Sequence, residues 1–177
     1  MHTNIFKSII FTSHMSYYII IRGPLGCGKS TIAESISQRI NAQHFSVDKI
    51  LAEHNLEHDK EEGYISQKSF KKVNEIISPD AEKILEGGKP VIFDGNFYWK
   101  SQIEDLISRL HFPHYVFTLK APLEVCIERD KSRNNTHGEA AARVVFNKST
   151  EFDYGEVIDV TNPLHETTEE ILSYVLS

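Results

Sequence analysis

Short apolar runs rich in β-branched residues alternate along this chain with longer stretches whose apolar positions recur every three or four residues. Tyr17 to Ile21 is such a run, closed by Gly23-Pro24, and predicts a buried strand. Beyond the glycines, Ile32, Ala33, Ile36 and Ile40 share one face of a helix from about Lys29 to Ile40. Gln43 to Val47 predicts a second strand. From Asp48 to Gly63 the chain is polar, with one helical turn or more at Ile50 and Leu51 and a loop at Glu61-Glu62-Gly63. From Ser66 on, Phe70, Val73, Ile76, Ile77, Ala81, Ile84 and Leu85 keep a helical period until Gly87-Gly88 ends it, with Pro79 expected to kink or divide the helix.

Val91 to Phe93 predicts a third strand, Ile103, Leu106, Ile107 and Leu110 a helix, and Tyr115 to Leu119 a fourth strand. Pro122 opens a helix running to about Arg133, a polar connection spans Asn134 to Gly138, and Ala140 to Phe146 is helical again. Val157 to Val160 predicts a fifth strand, and Thr167 or Thr168 caps a last helix holding Ile171, Leu172 and Val175. Strands alternating with helices imply right-handed crossovers and an α/β fold, its parallel sheet covered on both faces. Ligands in such sheets sit at the carboxyl ends of the strands.

The 177 residues are the length of a single domain. Residues 1–14 carry no motif and read as an extension, with Met15 as the natural start and the domain spanning 15–177. A formal charge of −6 disfavours tight non-specific binding to a polyanion, so a nucleic acid enters only as a locally recognised substrate. The two cysteines suggest no disulfide framework and fit a reducing, cytoplasmic setting. No apolar run reaches the length of a membrane span, so no membrane partner is expected.

The chemistry enters at Gly23-Pro24-Leu25-Gly26-Cys27-Gly28-Lys29-Ser30, which matches the pattern G-x-x-x-x-G-K-S/T between a predicted strand and a predicted helix. Glycines let backbone N–H groups converge on an anion, the helix N-terminus adds partial positive charge, and Lys29 reaches the β and γ phosphates. Ser30 would ligate Mg²⁺, and Thr31 completes the segment. Cys27 reads as a filler of the turn, although a thiol beside Lys29 could have a lowered pKa.

Asp48 directly follows the second predicted strand and Asp94 the third, so both fall on the ligand-binding edge of the sheet. Phosphoryl transfer needs a metal-organising carboxylate and a group that accepts or orients the proton of the attacking hydroxyl. We assign Asp94 to the metal and Asp48 to the substrate hydroxyl; either acid could instead cap the helix that follows it. Asn96 could orient substrate or hold a turn. Arg129 and Arg133 are four apart on one helix face, and residues 129–143, including Arg143, read as a lid that brings arginines to the transferred phosphoryl group. The neighbouring Glu124, Glu128 and Asp130 leave a solvated, ion-paired face as the alternative. The same choice applies to Lys68, Lys71 and Lys72: a basic patch or a solvated helix face.

With these residues in place the chain resembles the P-loop kinases grouped as AAA-type ATP-binding kinases, which include polynucleotide 5'-hydroxyl kinases, zeta toxins and chloramphenicol phosphotransferases. More narrowly it looks like archaeal members of that group. The resemblance implies a P-loop NTPase fold, a three-layer α/β/α sandwich with five parallel strands in the order 2-3-1-4-5. It implies ATP and Mg²⁺ as cofactors. It further implies that Asp48 acts on the acceptor hydroxyl, that Arg129 and less directly Arg133 bind phosphate or adenine, and that the loop Thr161 to Pro163, with Asn162, packs on adenine.

The expectation is therefore an ATP-dependent phosphotransferase whose catalytic residues are Lys29, Asp48, Arg129 and Arg133. Its partners are ATP and a hydroxyl-bearing acceptor, either a small molecule or a nucleic-acid 5' end. A nucleoside or nucleotide kinase is one alternative, its nucleoside monophosphate kinase form weakened by the lack of an evident arginine pair for a second phosphate. An ATPase or switch with no acceptor is the other. The stretch from Leu51 to Ser78, where such kinases choose their acceptor, matches no pattern for a particular one.

Overall fold

The computed structural model describes residues 16–132 and 138–176. Its centre is β1 (Tyr18–Arg22), buried along its whole length. Successive side chains of a strand point to opposite faces, so Tyr18 and Ile20 join one apolar layer and Ile19 and Ile21 the other. On either side of β1 run β5 (Val91–Gly95) and β6 (His114–Lys120), with β2 (Gln43–Ser46) beyond β5 and β7 (Glu156–Asp159) beyond β6, all parallel.

The order β2-β5-β1-β6-β7 becomes 2-3-1-4-5 when the strands of this sheet alone are numbered. The two numberings differ because an antiparallel hairpin, β3 (Lys60–Glu61) and β4 (Tyr64–Ile65), lies outside the sheet where the sequence predicts only a loop. Two-residue strands are too short to show an alternating pattern.

Two helices, α1 (Lys29–Ile40) and α7 (Leu164–Val175), cover one face, where Ile32, Ala33, Ile36, Ile171 and Leu172 are buried with Ile19 and Ile21. The other face packs on α3 (Gln67–Glu86) and α4 (Lys100–Arg109) through Phe70, Val73, Ile77, Leu85, Ile103 and Leu106. The remaining helices are α2 (Val47–Glu53), α5 (Leu123–Ser132) and α6 (Gly138–Ser149).

Ser66 caps α3 by accepting the Ser69 N–H at 3.1 Å. Pro79 does not divide this helix, which runs through it for 20 residues. A mid-helix proline costs about 3 kcal/mol. Each fully buried Leu, Ile or Phe returns roughly 1.5–3 kcal/mol, so the apolar stripe of α3 outweighs the lost hydrogen bond. The last helix starts earlier than expected: Pro163 precedes it, and Thr167 and Thr168 are buried within its first turns. The Thr168 hydroxyl turns back to the Leu164 carbonyl at 2.8 Å and caps nothing.

Two buried cations tie α6 and the residues just after it to the segment that follows β5. Arg22 is fully buried; its Nε donates to the Phe97 carbonyl at 3.2 Å, Nη1 to Phe152 O at 2.8 Å and Thr118 Oγ1 at 3.2 Å, and Nη2 to Ser149 O at 2.8 Å. Burial pushes its pKa down to about 10. The Lys148 ammonium lies 4.1 Å from the centre of the Trp99 ring and pairs with Glu151 at 2.8 Å and Glu62 at 3.3 Å. Trp99 in turn donates its Nε1–H to the Ile65 carbonyl at 2.8 Å, which docks the hairpin against the segment that follows β5.

Candidate nucleotide and phosphate site

The glycine-rich turn between β1 and α1 is shaped by what it packs against. At Gly26, φ is 77°, and a Cβ there would lie 2.1 Å from the Cys126 carbonyl oxygen, so no side chain fits between the turn and α5. Cys27 is buried beneath the turn, and burial raises its thiol pKa although Lys29 opposes the shift. It fills space there and is not an activated thiol.

Lys29 opens α1 and is buried, with Nζ donating to the Pro24 carbonyl at 2.9 Å and to Asn96 Oδ1 at 3.0 Å. The next residue, Ser30, is exposed and donates from Oγ to Asp94 Oδ2 at 2.7 Å. Asp94 lies inside β5 and not at a helix cap, with only 1% of its surface exposed. Its Oδ1 is held by His44 Nε2 at 2.5 Å. His44 sits on β2 and was not singled out from the sequence, because only the β2–β5 pairing brings it to the acid.

Asp48 falls in the first turn of α2, one residue inside the helix, and its Oδ1 accepts the Asn96 N–H at 3.3 Å. The helix follows Ser46, so Asp48 is not its cap. Lys29, Ser30, Asp48, Asp94 and Asn96 therefore meet at the carboxyl edge of the central strands, with Asn96 touching both Lys29 and Asp48.

A cavity of about 200 Å³ opens on the other side of the turn, lined by Cys27, Gly28, Thr31, Ile32, Arg129, Val160, Asn162, Leu164 and Thr167. Arg129 bridges its two walls, donating from Nη1 to the Cys27 carbonyl at 3.3 Å and from Nη2 to the Val160 carbonyl at 2.8 Å. Asn162 is on the loop between β7 and α7, whose turn is set by Asp159: its Oδ1 accepts the Thr161 N–H at 2.9 Å and the Thr161 hydroxyl at 2.7 Å. Those two bonds hold the Asp159 carboxyl below its usual range. Pro163, expected beside Asn162, stands at the N-cap of α7, and Leu164 is the residue that lines the cavity.

Other candidates fall elsewhere. Arg133 lies outside the described residues, as do the middle of the expected lid and residues 1–14. Arg143 pairs with Glu139 at 2.9 Å on the exposed face of α6. Lys68, Lys71 and Lys72 line a groove of about 720 Å³ on the outer face of α3, together with Asp59, Glu61 and Glu75; Lys72 pairs with Glu75 at 2.8 Å. Among the described residues no helix is long and apolar enough to cross a membrane, and no group of three or more His, Cys, Asp or Glu could hold a metal by itself. Ser30 Oγ and Asp94 Oδ2 are hard oxygen donors suited to Mg²⁺, which keeps several waters and takes one or two protein ligands alongside phosphate.

A family model described as an AAA domain matches residues 19–151, so the chain belongs to that family. Its fold is that of the P-loop kinases. A gluconokinase from Sinorhizobium meliloti 1021 superposes with a TM-score of 0.70 at 18% identity, over 90% of this chain and 91% of that one. The APS kinase of Mycobacterium tuberculosis, determined with AMPPNP and APS, gives 0.70 at 14% identity, over 92% and 99%. The tunicamycin resistance protein of Deinococcus radiodurans gives 0.63 at 20% identity, over 90% and 95%. No curated protein sequence matches the chain at a significant level.

Proposed function

We propose that this protein is an ATP-dependent phosphotransferase that moves the γ-phosphate to a hydroxyl group of an acceptor. The observation that carries the reading is the pair Ser30–Asp94 together with the chain Lys29–Asn96–Asp48, which supports one carboxylate for the metal and a second for the acceptor hydroxyl. Neighbours named as a gluconokinase and an APS kinase support it.

In this reading Arg129 and Asn162 flank the base, and the glycine-rich turn with Lys29 takes the phosphates. Ser30 and Asp94 would hold Mg²⁺, which supplies neutralisation of charge on the β and γ phosphates. Lys29 adds a fixed positive charge to the same oxygens. Asp48, oriented by the Asn96 N–H, accepts or aligns the proton of the attacking hydroxyl. Catalysis rests on positioning and charge neutralisation.

The test follows the γ-phosphate label of ATP with Mg²⁺ across nucleosides, sugars, aminoglycosides, shikimate and 5'-hydroxyl RNA. Transfer to one acceptor, falling about 10²–10⁴-fold in Asp48→Asn while ATP binding persists, supports the kinase. Label released only as free phosphate, indifferent to Asp48→Asn, would favour an ATPase or switch.

A further inference from the structure

Asp94 has two chemically equivalent oxygens on a side chain whose last torsion is soft and two-fold. Left alone, such a carboxylate can present either oxygen, or both, to a cation. In this protein the two oxygens are made unlike. Oδ2 receives the Ser30 hydroxyl at 2.7 Å, and Oδ1 is taken by His44 Nε2 at 2.5 Å. An ionised carboxylate only accepts, so the hydrogen in the second bond belongs to the imidazole.

The placement follows from the sheet. The register sets His44 opposite Ile92 and Ser46 opposite Asp94. Ile92 packs in the apolar layer beneath α1, and Asp94, two residues on, shares that face, which is the one Ser30 approaches. His44 thus reaches Asp94 from the neighbouring strand, on the side away from the glycine-rich turn. Its side chain is 19% exposed against 1% for Asp94. Lys29, the nearby cation, directs bonds to Pro24 and Asn96. A carboxylate so deeply buried needs donors that satisfy it, and His44 is a donor that also fixes its rotation.

We propose that His44 is a positioning residue: it holds Asp94 by Oδ1 so that Oδ2 alone is presented, beside Ser30, to the cation that accompanies a bound nucleotide. The proposal rests on the nucleotide-and-metal reading above. It predicts that the His44 bond matters for metal affinity and not for nucleotide affinity as such. Outer partners of metal-ligating groups act in this way, their loss costing about 10–100-fold in metal affinity.

The experiment uses the whole protein as wild type, His44→Phe and His44→Gln. Mn²⁺ uptake in the presence of a non-hydrolysable ATP analogue is read from the free-Mn²⁺ electron paramagnetic resonance signal, and analogue affinity in EDTA is read by calorimetry. His44→Phe, which keeps a ring and loses the donor, should weaken Mn²⁺ binding about 10-fold or more while metal-free nucleotide affinity changes by less than about 3-fold. His44→Gln, whose amide Nε2 has a comparable reach, should restore Mn²⁺ affinity to within about 3-fold of wild type. Should the Phe variant not fold, His44→Asn, one methylene shorter than Gln, takes its place with the same expected loss. Unchanged Mn²⁺ affinity in the donor-less variant overturns the proposal, and so does a Gln variant as weak as Phe. Wild-type protein that binds the analogue yet takes up no Mn²⁺ overturns the metal reading itself, a result distinct from either.

Discussion

Asn96 accepts the Lys29 ammonium on its side-chain carbonyl at 3.0 Å, and its own backbone N–H donates to Asp48 at 3.3 Å. One residue after β5 therefore joins the lysine of the glycine-rich turn to the acid on α2. Removing the amide in Asn96→Ala frees Lys29 from a charge-assisted bond of about 1.5–3 kcal/mol. The expected outcome is a kcat for phosphoryl transfer lowered about 10–100-fold, with a smaller change in KM for ATP, measured by steady-state kinetics.

Arg129 spans the cavity between Cys27 and Val160. In Arg129→Ala both carbonyls lose their partner and the cavity loses a wall. Nucleotide affinity measured by calorimetry should fall about 10-fold, an effect of roughly 1.4 kcal/mol. An unchanged affinity would remove Arg129 from the nucleotide site.

The thiol of Cys126 is moved by burial from its ordinary 9.0 to about 11. The folded state then binds more protons than the unfolded state between those values. The resulting stabilisation is fully present below pH 9 and is lost as pH rises toward 11. Urea midpoints measured from pH 8 to 11 should decline, and less so in Cys126→Ala after correction for the cavity. Cys27, also raised, should react with thiol reagents only slowly at neutral pH and rapidly once the chain is unfolded.

Arg22→Met keeps an unbranched stem, two atoms shorter than arginine, and removes every donor. The buried carbonyls of Phe97 and Ser149 and the half-buried one of Phe152 would be left without the bonds that Arg22 gives them. A loss of about 3 kcal/mol or more is expected, seen as a lower urea midpoint with an unchanged slope. A small loss would mean that water reaches those carbonyls.

Local pattern made much of this fold legible. The run of isoleucines in β1, the helical spacing of Ile32, Ala33 and Ile36, and the glycines with Lys29 and Ser30 each declare themselves within a dozen residues. Asp48 and Asp94 could be placed because strand ends in an α/β sheet have a known polarity. His44 could not, since its partner is 50 residues away and the bond depends on the register between β2 and β5. Nor could the role of Arg22, whose acceptors lie 75 to 130 residues further on. The hairpin was missed because residues 60–65 have too few paired positions for any period to emerge. Pro79 does not divide α3: a local rule for proline cannot weigh the apolar stripe of the helix against it.

Trp99 is the single tryptophan of the chain. Its indole N–H is held by Ile65 of the hairpin, and an ammonium from α6 lies over its ring. Indole emission responds both to a nearby charge and to loss of a hydrogen bond, so the protein carries a built-in optical probe at the junction of the hairpin, α6 and the segment after Asn96. Any ligand that shifts one of those three against the others will announce itself in unlabelled protein, which makes acceptor screening possible by fluorescence alone.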